Sequence, residues 1–507
     1  MNWQNYPLIR LVIPFILGMI CAYLYGAQMD LLVLLLLCCT LLALLFFFLK
    51  RPEGKYQSTK FGLVAMLLLF TVGMTLYTRK YQSIAQGVPR DSTFCKGILS
   101  ELPQEKAKSW ALNLEQDNGT HIMLYVGKNK KDATGDSVSF SRLNIGDTIF
   151  ANITHLNATE DGSDDTFAPY HKYLFSHGIC ATCYTPSDRW HALPRQSTAS
   201  LPHSAKMFQQ KLHNIYNERG INGDSGNVIE AMTIGMTDNL SKDTRQQYAT
   251  AGTSHVLAMS GLHVGLIAMV LQFFFMTNTM PHHWLWLYNI CIIIFLWCFA
   301  IVAGLSPSIV RATLMFTILL LCQSFTHELM PLNSCALAIA IMLCINPLYI
   351  NDVGFQFSFV SVASIGLAGK AFGNVSRSRY KIIRFAKGII YISLICSIAT
   401  APLVAYHFGR VPLLAAVSNI TTVFFVYLIM WGSILWWTFL WFTSFNALLT
   451  NTLNWSADMM NCITEHISSV PHASIEWHPS AVATTLCYIQ FIIIAYIIRI
   501  IKKQNNR

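Results

Sequence analysis

Residues 251–266 run Ala-Gly-Thr-Ser-His-Val-Leu-Ala-Met-Ser-Gly-Leu-His-Val-Gly-Leu, and His255, Ser260 and His263 are the side chains in this run equipped for chemistry. A serine and a histidine one helical turn apart can share a proton as a nucleophile and its base do, or can present donors to an anion. They open an apolar stretch that continues to Met276, long enough to cross a bilayer, where polar atoms call for a partner or for water. A helix over Val256 to Met276 places His255, Ser260 and His263 on one broad face and Gly261, Gly265 and Gln272 on another. Gly261 and Gly265 form a small-xxx-small pair that admits a neighbouring helix backbone. Either the polar face borders water or both histidines are hydrogen-bonded within the bundle.

A basic counterpart follows. Arg311 stands inside an apolar segment that Ser306 can cap and Pro307 can open, so an arginine and the free N–H groups of a helix N-terminus meet at one place. That combination suits an anion. The spacing recurs: Gly304-Leu305-Ser306-Pro307 and Gly409-Arg410-Val411-Pro412 each set a glycine three residues before a proline, as interrupted helices do at substrate sites of transporters. With His407, Arg410 and the histidines of the central run, these breaks outline a positive polar lining that a phosphate backbone could follow. Gln356, Asn419 and Ser358 either join that lining or bond helix to helix. The alternative for the cations is structural, with Arg311 paired to Asp352, Arg410 anchored at the headgroups and His407 capping a helix.

The elements that must position these residues are membrane helices. Of 507 residues 53% are hydrophobic and 12% charged, and mean hydropathy is positive, which excludes a large soluble enzyme. The formal charge of +10 is gathered beside apolar runs, so it reads first as an orientation signal rather than a nucleic-acid footprint. Most of the 14 cysteines lie in apolar segments, where they act as small hydrophobes. No zinc spacing, phosphate-binding Gly-xxxx-Gly-Lys-Ser/Thr loop or His-x-His-x-Asp-His cluster occurs, so neither a resident metal or cofactor nor an ATP motor is expected.

In chain order, residues 1–78 hold three spans, Leu8 to Tyr25, Leu31 to Leu49 and Phe61 to Tyr77, the first two joined around Gln28 and Asp30. Lys50, Arg51, Lys55 and Lys60 against Glu53 place the second loop inside, with an uncleaved, inside N-terminus. Residues 79–200 form the one soluble domain, on the outer side, with strand-like runs at Phe94 to Leu99, Trp110 to Leu114, His121 to Val126, Ser137 to Phe140, Thr148 to Thr154 and Gly178 to Tyr184. Turns at Asp117-Asn118-Gly119, Asn144-Ile145-Gly146-Asp147 and Asp161-Gly162 make a small β-barrel the economical fold. Cys95, Cys180 and Cys183 share this oxidising side, so Cys95 can pair with Cys180 or Cys183.

Residues 201–252 read as interfacial helices, since Phe208, Leu212, Ile215 and Tyr216 recur opposite Lys206, Lys211 and Arg219. Within 253–507 the expected spans are the central one, Trp284 to Ala303, Pro307 to Phe325, Leu332 to Ile350, Val353 to Phe372 and Gly388 to His407. The acid-free loop with Arg377, Arg379, Lys381, Arg384 and Lys387 again falls inside. Leu413 to Phe442 is long enough for a half-helix and a span, Ala447 to Ser469 suits the interface, and Ala481 to Ile501 ends inside. The fold class is a polytopic α-helical membrane protein of about ten or eleven spans with an extracytoplasmic β-barrel domain.

Residues 252–255 with 260–264 resemble the signature of the ComEC-type competence protein family. Three further blocks in order resemble it too: residues 304–315, Asn346-Pro347 with 352–359, and 401–410 through Asn419. The resemblance implies an inner (cytoplasmic) membrane channel that carries single-stranded DNA during natural transformation, served by a separate DNA receptor, nuclease and cytoplasmic ATP-driven motor. More loosely, Gly146-Asp147 and 167–184 resemble the family's OB-fold. Such folds bind single strands by aromatic stacking and a basic groove, which makes Trp110, Tyr125, Lys128, Lys130 and Lys131 the candidates there. They serve otherwise as core aromatics and a solvated hairpin tip. Many members end in a metallo-β-lactamase-like domain; this chain stops soon after its last span, so strand degradation is expected of another protein. Two rivals remain: a transporter of another anionic polymer or metabolite, and an intramembrane Ser260/His263 enzyme, for which no third orienting group is identified.

Overall fold

Apolar runs become helices because lipid offers their backbone polar groups no other partner. The computed structural model of the chain describes residues 6–25, 29–49, 55–89, 93–101, 103–106, 108–128, 140, 143–159, 168–193, 201–274, 282–326, 331–375 and 380–505. Two units result, Met1–Met207 with Ala336–Phe355, and Phe208–Cys335 with Gln356–Arg507. Lys130, Lys131, Gln28, Lys50, Arg51, Glu53, Asp161, Gly162, Arg377, Arg379 and Met276 lie outside the described residues.

The first unit opens on α1 (Pro7–Leu24), α2 (Leu31–Leu49) and α3 (Lys55–Ala85). Contact between α1 and α3 is made by backbone. A Cβ on Gly18 would come within 2.0 Å of the Phe70 carbonyl oxygen, and one on Gly73 within 2.2 Å of that of Phe15. Two glycines thus let the helices touch at their main chains. Pro347–Asn351 forms a 3-10 turn that docks on the same helices, with Asn351 Nδ2 donating to Tyr77 OH at 2.9 Å.

The sheet domain of this unit contains β1 (Phe94–Leu99), β2 (Gln104–Glu105), β3 (Ser109–Glu115), β4 (His121–Gly127), β5 (Thr148–Asn152), β6 (His155–Ala158), β7 (Ile179–Thr185) and β8 (Trp190–Leu193), with α4 (Ala168–Ser176) before β7. Strand order is β6-β7-β4-β3-β1-β5-β8, with β2 on β3. The β4–β7 pair is parallel and the rest are antiparallel. Alternation in the sequence is what buries Leu112, Leu114, Ile122, Leu124 and Val126 in one core. The expected strand over 148–154 is found as β5, ending at Asn152 and paired with β1, and a further strand outside that expectation, β6, follows from His155 and pairs with β7.

The second unit is helical: α5 (Leu201–Glu218, from Phe208 on), α6 (Gly223–Thr233), α7 (Lys242–Ala251), α8 (Ser254–Leu257), α9 (Gly261–Phe274), α10 (His282–Val302), α11 (Pro307–Thr326), α12 (Pro331–Ile345, to Cys335), α13 (Val353–Val375, from Gln356), α14 (Lys381–Phe408), α15 (Ala415–Thr438), α16 (Thr443–Ser469) and α17 (Ala481–Asn505). A ribbon of β9 (Arg410–Pro412) and β10 (Ser474–Glu476) joins two of its corners. Among the described residues, Pro7–Leu24, Thr59–Ala85, Pro307–Ser324, Lys387–Phe408 and Ala415–Thr438 are long and apolar enough to cross a bilayer, and shorter apolar helices accompany them. The chain is a polytopic membrane protein with a β-sheet domain.

Three expectations are corrected. The central span is not one helix, because Ala258 is extended (φ −90°, ψ 128°) and separates α8 from α9. Leu332 to Ile350 ends as a helix at Ile345, where Asn346 Oδ1 accepts from the Leu348 N–H at 3.2 Å and starts the 3-10 turn. Leu413 to Phe442 carries no half-helix break; α15 runs unbroken, with Gly432 seated under the Leu453 side chain.

Candidate functional site

The break between α8 and α9 is held by its own side chains. Ser260 precedes the first residue of α9, and His263 Nδ1 accepts both the Ser260 N–H and the Ser260 hydroxyl, each at 3.2 Å. This is the side-chain-to-N-cap half of a capping box, with histidine where glutamate or glutamine is usual, while the His263 N–H donates to the Ser260 carbonyl at 3.1 Å. Because Nδ1 accepts, the ring proton sits on Nε2. That atom is buried without a hydrogen-bond partner, as is Thr253 Oγ1, in a residue 0% exposed. His255 is exposed and Ser260 half-buried. The single wet face expected from the sequence is therefore divided: the helix break turns His255 outward and His263 inward.

Gly261 and Gly265 face α11. Their Cβ positions lie 3.8 Å from Ala312 Cβ and 3.2 Å from Phe316 Cζ, so the glycine spacing packs one helix against the next residue pair one turn apart. Arg311, beside Ala312, is 4% exposed and sits four residues into α11. The turn before it is tight: Gly304 (φ 72°) and Leu305 (φ 53°) are both left-handed, and the Leu305 N–H bonds the Ala300 carbonyl at 2.9 Å. The Gln209 side chain fills the space over Gly304 and donates to the Ile234 carbonyl.

The second Gly-xx-Pro break becomes β9 rather than a helix start. Gly409 (φ 67°) caps α14, and a Cβ there would meet the His478 ring at 2.1 Å. Cross-strand bonds from Leu413 N–H to Ala473 O (2.9 Å) and Trp477 N–H to Gly409 O (3.0 Å) flank the ribbon. This phase makes Arg410 and Glu476 a non-hydrogen-bonded pair, the kind whose side chains approach most closely. The ribbon reaches the signature run: Gly252 (φ 80°) lies so close that a Cβ would be 2.6 Å from Ala415 Cβ and 2.9 Å from Pro412. Sequence reasoning identified Arg410 but not Glu476 or His478, since strand pairing across 60-odd residues leaves no local pattern.

Of the remaining candidates, His407 Nε2 is 3.0 Å from Gln356 Oε1, and Asn419 Nδ2 donates to Ser393 Oγ at 2.9 Å, tying α15 to α14. In the first unit Asp352 Oδ1 accepts from the Phe355 N–H at 2.6 Å, while Oδ2 lies 3.9 Å from His177 Nε2. Within the sheet domain Trp110 stacks on Phe140 at 4.9 Å, Phe140 on Trp190 at 4.9 Å, and Lys128 Nζ is 5.8 Å from the Trp110 ring centre. Lys128 pairs with Glu105, and Tyr125 bonds Tyr170. These three candidates thus already serve the domain's own packing. Cys95, Cys180 and Cys183 are buried thiols; Cys95 and Cys183 hydrogen-bond each other, whereas Cys180 bonds the Gly87 carbonyl.

Broken apolar helices, left-handed glycine corners and polar groups at membrane depth define a membrane protein built around a discontinuous central helix. Residues 232–500, more than half of the chain, match the family model described as Competence protein. The chain belongs to that competence protein family. It is 26% identical over 212 residues to "ComE operon protein 3" of Bacillus subtilis (strain 168), covering 42% of this chain and 26% of that protein. It is 27% identical over 145 residues to "Recombination protein 2" of Haemophilus influenzae, covering 27% of this chain and 18% of that one. The matched part thus spans about a quarter or less of either relative. No solved structure matches the chain.

Proposed function

We propose that the chain is a channel that passes single-stranded DNA across the cytoplasmic (inner) membrane during natural transformation, and is not itself an enzyme. The observation that carries this reading is the junction of Gly252, β9 and the α8–α9 break. Three of the four sequence blocks that resemble the competence family lie in this unit, and two of them meet there through glycines with no room for a side chain. Exposed His255, half-buried Ser260 and Arg410, and the ends of broken helices offer donors to a phosphate backbone. Buried His263 and Arg311 hold the wall behind them. A separate motor, DNA receptor and nuclease complete the process.

The sheet domain acts as an OB-like, extracytoplasmic entry module. What supports this is its connectivity: β1, β3 and β4 form a meander, β7 adds parallel to β4, and β5–β6 bridges β7 to β1, the order of a five-stranded Greek-key barrel. Its Tyr170, Tyr173, Tyr184 and Phe94 are exposed and present aromatic surface on which bases could stack. An intramembrane enzyme is disfavoured, since His263 Nδ1 is occupied by a backbone N–H and no acceptor orients Nε2.

The test is genetic. In a transformable host the gene is deleted and uptake of labelled DNA measured, then complemented with the chain or with Arg311→Ala. Loss on deletion and rescue by the intact chain alone fit a channel. Normal uptake without the gene removes it.

A further inference from the structure

Helices α5–α7 are polar for a chain of this class, and Lys242, Asp243, Arg245 and Gln246 are exposed. Contacts fix where this segment lies. Tyr216, 0% exposed, stacks on Trp436 at 4.9 Å and accepts the Trp437 indole N–H at 2.9 Å. Both tryptophans stand in the last turn of α15. At the other end of the segment, Gly252 rests on Ala415, the first residue of α15, and on Pro412. Ala415 and Trp436 are separated by about 32 Å of helix axis at 1.5 Å per residue, close to the ~30 Å of a bilayer's hydrocarbon core. Residues 216–252 therefore reach from one end of an apolar spanning helix to the other.

The neighbouring α16 holds the same segment rung by rung. Asn454 Nδ2 donates to Gly220 O at 3.0 Å, the Ser225 hydroxyl donates to Asp458, and Tyr248 OH donates to Asn461 Oδ1 at 2.7 Å. Residues 220, 225 and 248 climb in step with 454, 458 and 461. Pairing of β9 with β10 brings the end of α16 back to the side where α15 begins, so this polar stripe, about 10 Å long at 1.5 Å per residue, rises in the same direction within that depth. Deeper in, Glu230 is 1% exposed and its Oε2 lies 2.7 Å from His213 Nδ1. Ionisable groups at such a depth are costly unless paired or hydrated. Glu230 is paired; the exposed row on α7 needs water.

We propose that residues 216–252 form a re-entrant polar segment at bilayer depth, lining a water-filled vestibule that leads to the α8–α9 break, in place of helices lying on the membrane surface. Only the identity of what passes rests on the channel reading; the vestibule itself does not.

Lys242→Cys and Gln246→Cys, exposed positions, are placed singly in the full chain in proteoliposomes and treated with a charged, membrane-impermeant maleimide. Phe424→Cys and Leu435→Cys, exposed apolar positions of α15, serve as lipid-facing controls, and mass spectrometry of peptides separates the new thiols from native ones. Both α7 positions are expected to react about tenfold or more faster than the controls, as hydrated groups do beside lipid-covered ones. Their depth is read by quenching of an attached fluorophore with lipids brominated near mid-chain. Labelling as slow as the controls, or fast labelling without mid-chain quenching, overturns the vestibule. Added single-stranded oligonucleotide is expected to slow labelling at Lys242→Cys. Fast, quenched labelling that the oligonucleotide leaves unchanged keeps the vestibule and counts against DNA as its occupant.

Discussion

Two histidines show how far a single residue's role follows from its bonds. His263 is a helix cap before it is anything else, so His263→Gln, which keeps an acceptor for the Ser260 N–H, is expected to retain most of the chain's thermal stability in detergent. His263→Ala loses the cap, about 1 kcal/mol. Equal melting of the two variants would show that the cap does not matter. His121 in β4 donates from Nδ1 to Asn113 Oδ1 at 3.2 Å, and burial holds its pKa below the ordinary value, with Lys80 and Lys206 acting the same way against Glu115 and Glu101. The folded domain then binds this proton less readily than the unfolded chain. Stability contributed by neutral His121 is present above about pH 6.5 and lost as pH falls below it. Hydrogen exchange of β4 in the whole protein, corrected for intrinsic rates, should accelerate in that window, and His121→Gln should flatten the response. Local signals made such residues visible in the sequence: Ser-xx-His at one turn, Asn before Pro, Asp before an apolar run. What stayed hidden was direction. Nothing in Ala258-Met259-Ser260 announces a break, because none of the three is glycine or proline.

At the scale of elements, close glycine contacts decide what packs on what. Gly18→Leu or Gly73→Leu should prevent α1 and α3 from touching and cost well over the ~1 to 3 kcal/mol of ordinary overpacking, since each Cβ would strike a carbonyl rather than a movable side chain. Protease sensitivity of the first helices in membranes reads this directly, and unchanged sensitivity would refute the contact. The ribbon gives a second prediction. Arg410→Cys with Glu476→Cys should form a disulfide without added catalyst, because opposed Cα atoms of a non-hydrogen-bonded pair fall within bonding range. Recovery of only unlinked peptides would mean that β9 and β10 do not pair. Helix positions were legible from apolar period and length, within a turn at most ends. The ribbon was not, because three-residue strands separated by two long helices have no sequence period of their own. Unbroken α15 was misread from length alone: the apolar run from Leu413 to Phe442 includes the turn between β9 and the helix and the turn after Thr438 as well as the helix itself, and Gly432 within it makes room for Leu453.

For the whole molecule, the polytopic membrane class was legible in composition and in the length of the apolar runs. Family membership confirmed the class of protein. The arrangement of polar segments required coordinates, since an amphipathic helix reads alike whether its wet face meets bulk water or an internal vestibule. The proposed function requires that a single strand of DNA thread this chain. Incorporation of the purified protein into a planar bilayer tests it: the ionic current it carries should be interrupted by a single-stranded oligonucleotide and left intact by a blunt duplex of the same sequence. A current that both block equally, or that neither affects, would contradict it.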